Sequence, residues 1–425
     1  MSKIFKNLTF WVFIAALIGY FSSQLIGESQ WVTHPQESYF YQIILLLKSS
    51  FINALKMMIA PIIFFSLLGG ILNIGEISKL RTMGRVTVTY YLGTTAIAIL
   101  IGLICVFFIH PWRSSDFQME VQTKNLTHQN YKEPQKMIDQ NSDSIILVAK
   151  GVLDKAFVNP FKAVAEGNIL AIVTSALFIG LSLLSLSIKD SPLSKIVNDL
   201  NLVINKILHW IIKFTPLGVF AIAFDFQLKT NSTVLTHILS FCILVFGATM
   251  LHGLIILPCL SWYFAKVHPL DFFKKAARPL LVAFSTSSSS ATLPISMQTC
   301  EEEFGVSEGV SGFVFPLGAT MNMDGTALFE GIAAIFLADL YGIELSVVST
   351  FSIFLMSMLS SIGAPGMPSA SMSGMQMVLL AAGIPLEAIG ILIVIDKPLD
   401  TFRTAVNVEG DMIGAIITQK YIKYE

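Results

Sequence analysis

The sequence predicts an all-α polytopic membrane protein, and three observations lead there. Hydrophobic residues make up 54% of the 425 positions and charged residues only 13%, against roughly 25% charged in a soluble domain. Apolar runs long enough to cross a bilayer, which takes about 20 residues, recur along the chain. In the last of them Asp400, Arg403, Thr404, Asn407 and Asp411 fall within roughly a 100° arc of one helical face.

Lys3 and Lys6 precede the first run, Phe10 to Ile26. No convincing small-residue cleavage site follows, so it reads as a retained helix. Further spans read as Phe51 to Leu72, Val86 to Ile109, Ile169 to Leu186, Leu202 to Phe224 and Ile238 to Phe264. Basic flanks at Lys79, Arg81 and Arg85, at Lys189, Lys195 and Lys206, and at Lys266, Lys274, Lys275 and Arg278 alternate with less basic turns, which predicts cytoplasmic N- and C-termini. The polar stretch from Trp112 to Ser144 then becomes an external loop. Asn125-Leu126-Thr127 and Asn231-Ser232-Thr233 match a glycosylation tripeptide too common to weigh.

Two later segments are uncharged but broken. Leu280 to Cys300 is interrupted by six hydroxyl residues, Ser285 to Ser290, and then Pro294; Leu345 to Leu386 is interrupted by Gly363-Ala364-Pro365-Gly366-Met367-Pro368-Ser369. The first is too short for two crossings, so two half-helices meeting at a polar tip are expected in each. Each hairpin is followed, about 34 positions on, by a helix carrying intramembrane polar groups: Asn322 and Asp324 after the first, the Asp400 to Asp411 face after the second. Paired interrupted segments in corresponding halves point to a transport site.

Charged groups at membrane depth each cost at least ~2.5 kcal/mol, so they persist where they face a cavity, a partner or an ion. Arg403 offers a planar fork for a carboxylate, Asp400 a partner for an ammonium, and half-helix N-termini a seat for a second carboxylate. Asp324 and Asp411, with Asn322 and Asn407, make hard oxygen cages suited to an alkali cation. Asp396 and Lys397 read as facing water or pairing with each other, with Pro398 in a first helical turn.

Other classes fit less well. A net charge of −1 gives no basic surface for nucleic acid, and Cys105, Cys242, Cys259 and Cys300 stand singly as inert thiols. An intramembrane serine hydrolase lacks a partner for its nucleophile, since no histidine follows His268. The chain is therefore not read as an enzyme, and an ion channel is the remaining rival. The serine run by itself also suits a packing seam.

Ala291-Thr292-Leu293-Pro294 after the serine-rich tip, Gly318-Ala319-Thr320-Met321-Asn322-Met323-Asp324-Gly325-Thr326, and Asp400 with Arg403-Thr404 and Asn407-Val408-Glu409-Gly410-Asp411 together resemble the dicarboxylate/amino acid:cation symporter family. That resemblance implies eight transmembrane helices, two re-entrant hairpins and a homotrimer in the bacterial inner membrane. It also implies a glutamate-transporter-like elevator fold. Residues 1–112 would hold helices 1 to 3, 113–150 the external loop, 151–268 helices 4 to 6, and 269–425 the transport core. Helices 1, 2, 4 and 5 would form the scaffold; helices 3 and 6 would move with the core.

The resemblance further implies that Arg403 binds a side-chain carboxylate, Asp400 the amino group, and Asn407, Thr326 and Ser289 the main-chain carboxylate, with Thr404, Gly366 and Met367 completing the substrate site. One sodium site would use Asp411 with carbonyls of Gly318, Asn322 and Asn407. A second would use Asp324 and Asn322 with Tyr91, Thr94 and Thr95; a third, Thr320, Ser361, Ile362 and Ala364. The coupling ion is then sodium and the substrate L-aspartate or L-glutamate, with no covalent cofactor. A proton-coupled glutamate or C4-dicarboxylate symporter is the alternative, although the acid at Asp400 favours an amino acid. Three positions depart from the pattern: Ser287 and Thr401 stand where some relatives carry an arginine, and the outer tip is proline-rich rather than glycine-rich.

Overall fold

The structure, a computed structural model, describes residues 8–28, 30–72, 81–112, 153–154, 156–166, 168–186, 192–229, 233–363 and 371–422. The expected external loop over 113–150 and the outer hairpin tip with Ala364, Gly366 and Met367 lie outside them. All regular structure among the described residues is helical. Thr82–Ile109 and His237–Ala265 are each long and apolar enough to cross a membrane.

Helix α1 (Leu8–Ile26) is followed by α2 (Tyr39–Leu72), which begins well before the expected Phe51. The charge of Lys48 hides this extension in the sequence, and the structure pairs that ammonium with Asp225 Oδ2 at 2.5 Å while Tyr41 donates to Asp225 Oδ1 at 2.5 Å. Helix α3 (Arg81–Ile109) and α4 (Ile169–Ser185) follow the expected spans closely. The expected Leu202 to Phe224 span is instead two helices, α5 (Pro192–Lys213) and α6 (Thr215–Lys229). Pro216 explains the break: it has no N–H to continue a helix but fits the first turn of a new one.

Helix α7 (Thr233–Leu251) runs on through π-helical turns at His252–Ile256 and Ser261–Ala265 that flank Leu257–Leu260. The first hairpin is α8 (Pro269–Thr286) and α9 (Ser289–Phe304). Its turn is made by Ser287 in the left-handed region (φ 50°) and by Ser288, whose hydroxyl caps α9 by accepting from the Ala291 N–H at 3.2 Å. The sequence places an interrupted apolar segment here. The structure extends both arms beyond it, with Lys275 Nζ donating to the Glu303 carbonyl at 2.7 Å.

Helices α10 (Glu308–Met321) and α11 (Asp324–Leu340) are separated by non-helical Asn322 and Met323. The second hairpin supplies α12 (Val347–Gly363) and α13 (Ser371–Ala382), and α14 (Ile389–Ile422) closes the chain. Pro398, expected in a first turn, lies inside α14, because the apolar run upstream of it continues the helix back to Ile389.

Helix α1 packs on α6, and α2 on α4, α5 and α6. Helices α3 and α8 to α11 gather around α14, with α11 also against α12 and α13. One apolar core centres on α11, where Phe241 and Phe336 stack with centroids 4.7 Å apart. A second, with Phe272, Phe315 and Met412, lies between the first hairpin, α10 and α14. The polar face of α14 lies among the helices rather than toward lipid.

Candidate functional site

The break at Asn322 and Met323 brings two half-helix ends together at the middle of the bundle. Helix ends carry partial charge, negative at the C-terminus of α10 and positive at the N-terminus of α11. The gap is held by side chains from α14. Asn407 Oδ1 accepts from the Gly325 N–H at 2.8 Å, and Asn407 Nδ2 donates to Thr326 Oγ1 at 3.4 Å. Gly325 is required there, since a Cβ would come within 2.8 Å of the Arg403 carbonyl oxygen.

Arg403 is completely buried. Its Nη2 donates to Asp396 Oδ1, to Asp400 Oδ1 at 3.1 Å and to Ser371 Oγ at 3.3 Å, and its guanidinium carbon stands 4.0 Å over the centre of the Phe329 ring. Nε and Nη1 have no hydrogen-bond partner among the described residues. A buried donor left unpaired costs about 1–3 kcal/mol, so Nε and Nη1, which point to different sides of the guanidinium, are separate donors left for ligand oxygens. Asp400 also meets Lys397 Nζ at 3.8 Å. Thr404 is buried beside Arg403, and Ser289 is buried at the start of α9.

Asp396 departs from the sequence reading. It is 2% exposed and bonds Arg403 and Ser371, neither facing water nor pairing with Lys397. The available signal was its position, seven residues before Arg403 and so on nearly the same face of α14.

Two oxygen clusters stand beside this arginine. In one, Asn322 Nδ2 donates to Asp411 Oδ1 at 2.9 Å and approaches the Asn407 carbonyl at 3.5 Å. Gly318 packs so closely here that a Cβ would overlap the Asp411 carboxylate and the Tyr91 hydroxyl. In the other, Asp324 Oδ1 accepts from Thr95 Oγ1 at 2.7 Å and from Thr94 Oγ1 at 3.4 Å, and Thr94 also reaches Asn322 Oδ1 at 3.4 Å. The Tyr91 hydroxyl donates to the Val314 carbonyl at 3.0 Å, beside Asp411 and Gly318 rather than to Asp324. The donor sets are carboxylate, amide, hydroxyl and carbonyl oxygen, which fit a hard monovalent cation.

The third expected cluster is less drawn together. The hydroxyls of Thr320 and Ser361 bond carbonyls of their own helices, Leu317 at 3.1 Å and Met358 at 2.8 Å. Ile362 packs against both apolar cores.

The sequence reading missed His252, whose Nε2 lies 3.0 Å from Asp324 Oδ2 in a wholly buried pair. It sits on the first π-helical turn of α7, a distortion frequent at functional sites. A single histidine inside an apolar run was its one signal. Glu330 and Glu409, also buried, were missed as well; Glu330 Oε1 accepts from Ser360 Oγ at 2.8 Å.

The described residues form helices throughout, and their broken helices and hairpins gather buried charge, the build of an integral membrane transporter. The chain belongs to the sodium:dicarboxylate symporter family, whose sequence model matches residues 8–421. It is similar to an excitatory amino acid transporter of Caenorhabditis elegans, 31% identical over 404 residues covering 87% of this chain and 80% of the relative. Mouse excitatory amino acid transporter 3 is 31% identical over 407 residues, 87% and 78% of the two chains. Human neutral amino acid transporter A is 30% identical over 397 residues, 86% and 73%.

Proposed function

We propose that this chain takes up an acidic amino acid, L-aspartate or L-glutamate, driven by sodium. The carrying observation is the buried Arg403 guanidinium, whose Nε and Nη1 donors have no partner among the described residues while Nη2 is engaged by Asp396, Asp400 and Ser371. A side-chain carboxylate supplies a charge-assisted acceptor to these free donors. Asp400 receives the ammonium, and Thr326, Asn407 and Ser289 receive the main-chain carboxylate near the N-terminus of α11, with Thr404, Gly366 and Met367 completing the pocket. Relatives named as excitatory and as neutral amino acid transporters are about equally similar to this chain, so the acidic substrate rests on Arg403 and Asp400.

Sodium binds as co-substrate at Asp411 with Gly318, Asn322 and Asn407, at Asp324 with Asn322, Thr94, Thr95 and Tyr91, and at Thr320, Ser361, Ile362 and Ala364. Each cation offsets buried negative charge beside the anionic substrate, so the two ligands favour each other's binding. Coupling requires that neither cross alone. In this reading the chain is a homotrimer in the bacterial inner membrane with both termini cytoplasmic. Helices α3, α7 and α8 to α14 then move as an elevator past a scaffold of α1, α2 and α4 to α6.

Labelled aspartate or glutamate should accumulate in proteoliposomes under an inward sodium gradient and fail to do so when choline replaces sodium at fixed pH. Uptake unaffected by choline would defeat sodium coupling. One observation favours proton coupling as the second reading: Glu330 is buried and its Oε2 has no partner among the described residues, so it could carry a proton. Uptake driven by a pH gradient in choline alone would select it.

A further inference from the structure

We propose that Asp396 and Ser371 are positioning residues that set the direction in which the free Nη1 of Arg403 meets the substrate and tie that direction to the outer hairpin. This rests on the reading of Arg403 as the receptor of a side-chain carboxylate. The three groups form a closed ring: the Ser371 hydroxyl donates to Asp396 Oδ1 at 3.0 Å, Arg403 Nη2 donates to the same Asp396 oxygen, and Arg403 Nη2 reaches Ser371 Oγ at 3.3 Å. Asp396 and Ser371 are 2% and 1% exposed, so no water competes for these bonds.

The ring has two consequences. A guanidinium is planar, so holding Nη2 on Asp396 while the Phe329 ring covers one face at 4.0 Å leaves the free Nη1 pointing in a single direction. Without Asp396, the arginine can swing onto Asp400, its neighbour one turn away at 3.1 Å, and lose that aim. The second consequence comes from where Ser371 sits. It is the first residue of α13, directly after the outer hairpin tip, whereas Asp396 and Arg403 both belong to α14. The arginine's orientation is therefore bonded to the hairpin arm, and a shift of that arm turns the fork. Two carboxylates of different reach, those of aspartate and glutamate, read this aim directly because they differ by one methylene.

The test measures Kd for aspartate and for glutamate at saturating sodium in Asp396→Asn, Ser371→Ala and the double variant, alongside thermal unfolding. Asp396→Asn should weaken aspartate binding at least tenfold and change the aspartate-to-glutamate ratio at least fivefold. Ser371→Ala, which leaves every charge in place, should move the ratio in the same direction by less. The double variant should be no worse than Asp396→Asn alone, since both break one ring. Affinities within threefold of wild type, or equal losses for the two acids, overturn the assignment. If Asp396→Asn does not fold, Ser371→Ala decides by the same ratio. Wild-type protein that binds neither acid contradicts the acidic-substrate reading and this assignment with it, whereas wild-type binding that persists in the variants overturns the assignment alone.

Discussion

Replacing Arg403 by lysine separates the fork from the charge. In the wild-type protein Nη2 serves Asp396, Asp400 and Ser371, and the separate Nε and Nη1 donors remain for a ligand. A lysine ammonium keeps the positive charge, so Asp396 and Asp400 do not become unpaired buried anions, a state that would cost about 3–5 kcal/mol. Its donors radiate from one nitrogen, however, and engagement with the two aspartates leaves at most one for the substrate. At least one charge-assisted bond is lost, about 1.5–3 kcal/mol, which is roughly 10- to 150-fold in Kd. Calorimetric titration of aspartate at saturating sodium, on protein that elutes as wild type from a sizing column, measures it. A Kd within threefold of wild type would refute a role for the free guanidinium donors, and Arg403→Cys with unchanged aspartate affinity would remove this residue from the site altogether.

Other changes probe the cation clusters and the scaffold. Thr95→Ala deletes the 2.7 Å bond to Asp324 and should raise the sodium concentration for half-maximal uptake several-fold while leaving substrate Kd at saturating sodium unchanged. A shift in substrate Kd alone would argue against a cation role. Gly318→Ala drives a methyl into the Asp411 carboxylate and Tyr91 hydroxyl and should abolish sodium-dependent uptake, whereas Gly93→Ala, with nothing within 4 Å, should not. Equal activity of the two variants would sink the Asp411 site. Lys48→Met leaves Asp225, only 1% exposed, with the Tyr41 hydroxyl but without its cation, and should cost up to about 3–5 kcal/mol, read as a lowered thermal midpoint. Lys48→Met with Asp225→Leu should recover most of the loss, and no recovery would mean that the pair does more than neutralise charge.

Much of this architecture is legible from hydropathy alone, because lipid forbids unpaired backbone and so dictates helices. The failures occur where tertiary pairing overrides local pattern. Lys48 looks like the end of a span until Asp225, 177 positions away, neutralises it. Asp396 looks like a surface group because sequence cannot say that Arg403 and Ser371 enclose it. The polar face of α14 was readable because its residues share one helix and so one periodicity. His252 was not, because its partner Asp324 lies on another helix. The unwound Asn322 and Met323 were likewise visible only as polar residues in an apolar run, since the break is made by Asn407 bonding across from α14.

The central claim is that a buried arginine and buried acids are kept so that solute and sodium can cancel each other's charge. Titrating aspartate into purified protein over a series of sodium concentrations tests it most directly. The account predicts a Kd that falls steeply as sodium rises and binding too weak to measure in choline. A Kd that does not change with sodium would contradict it.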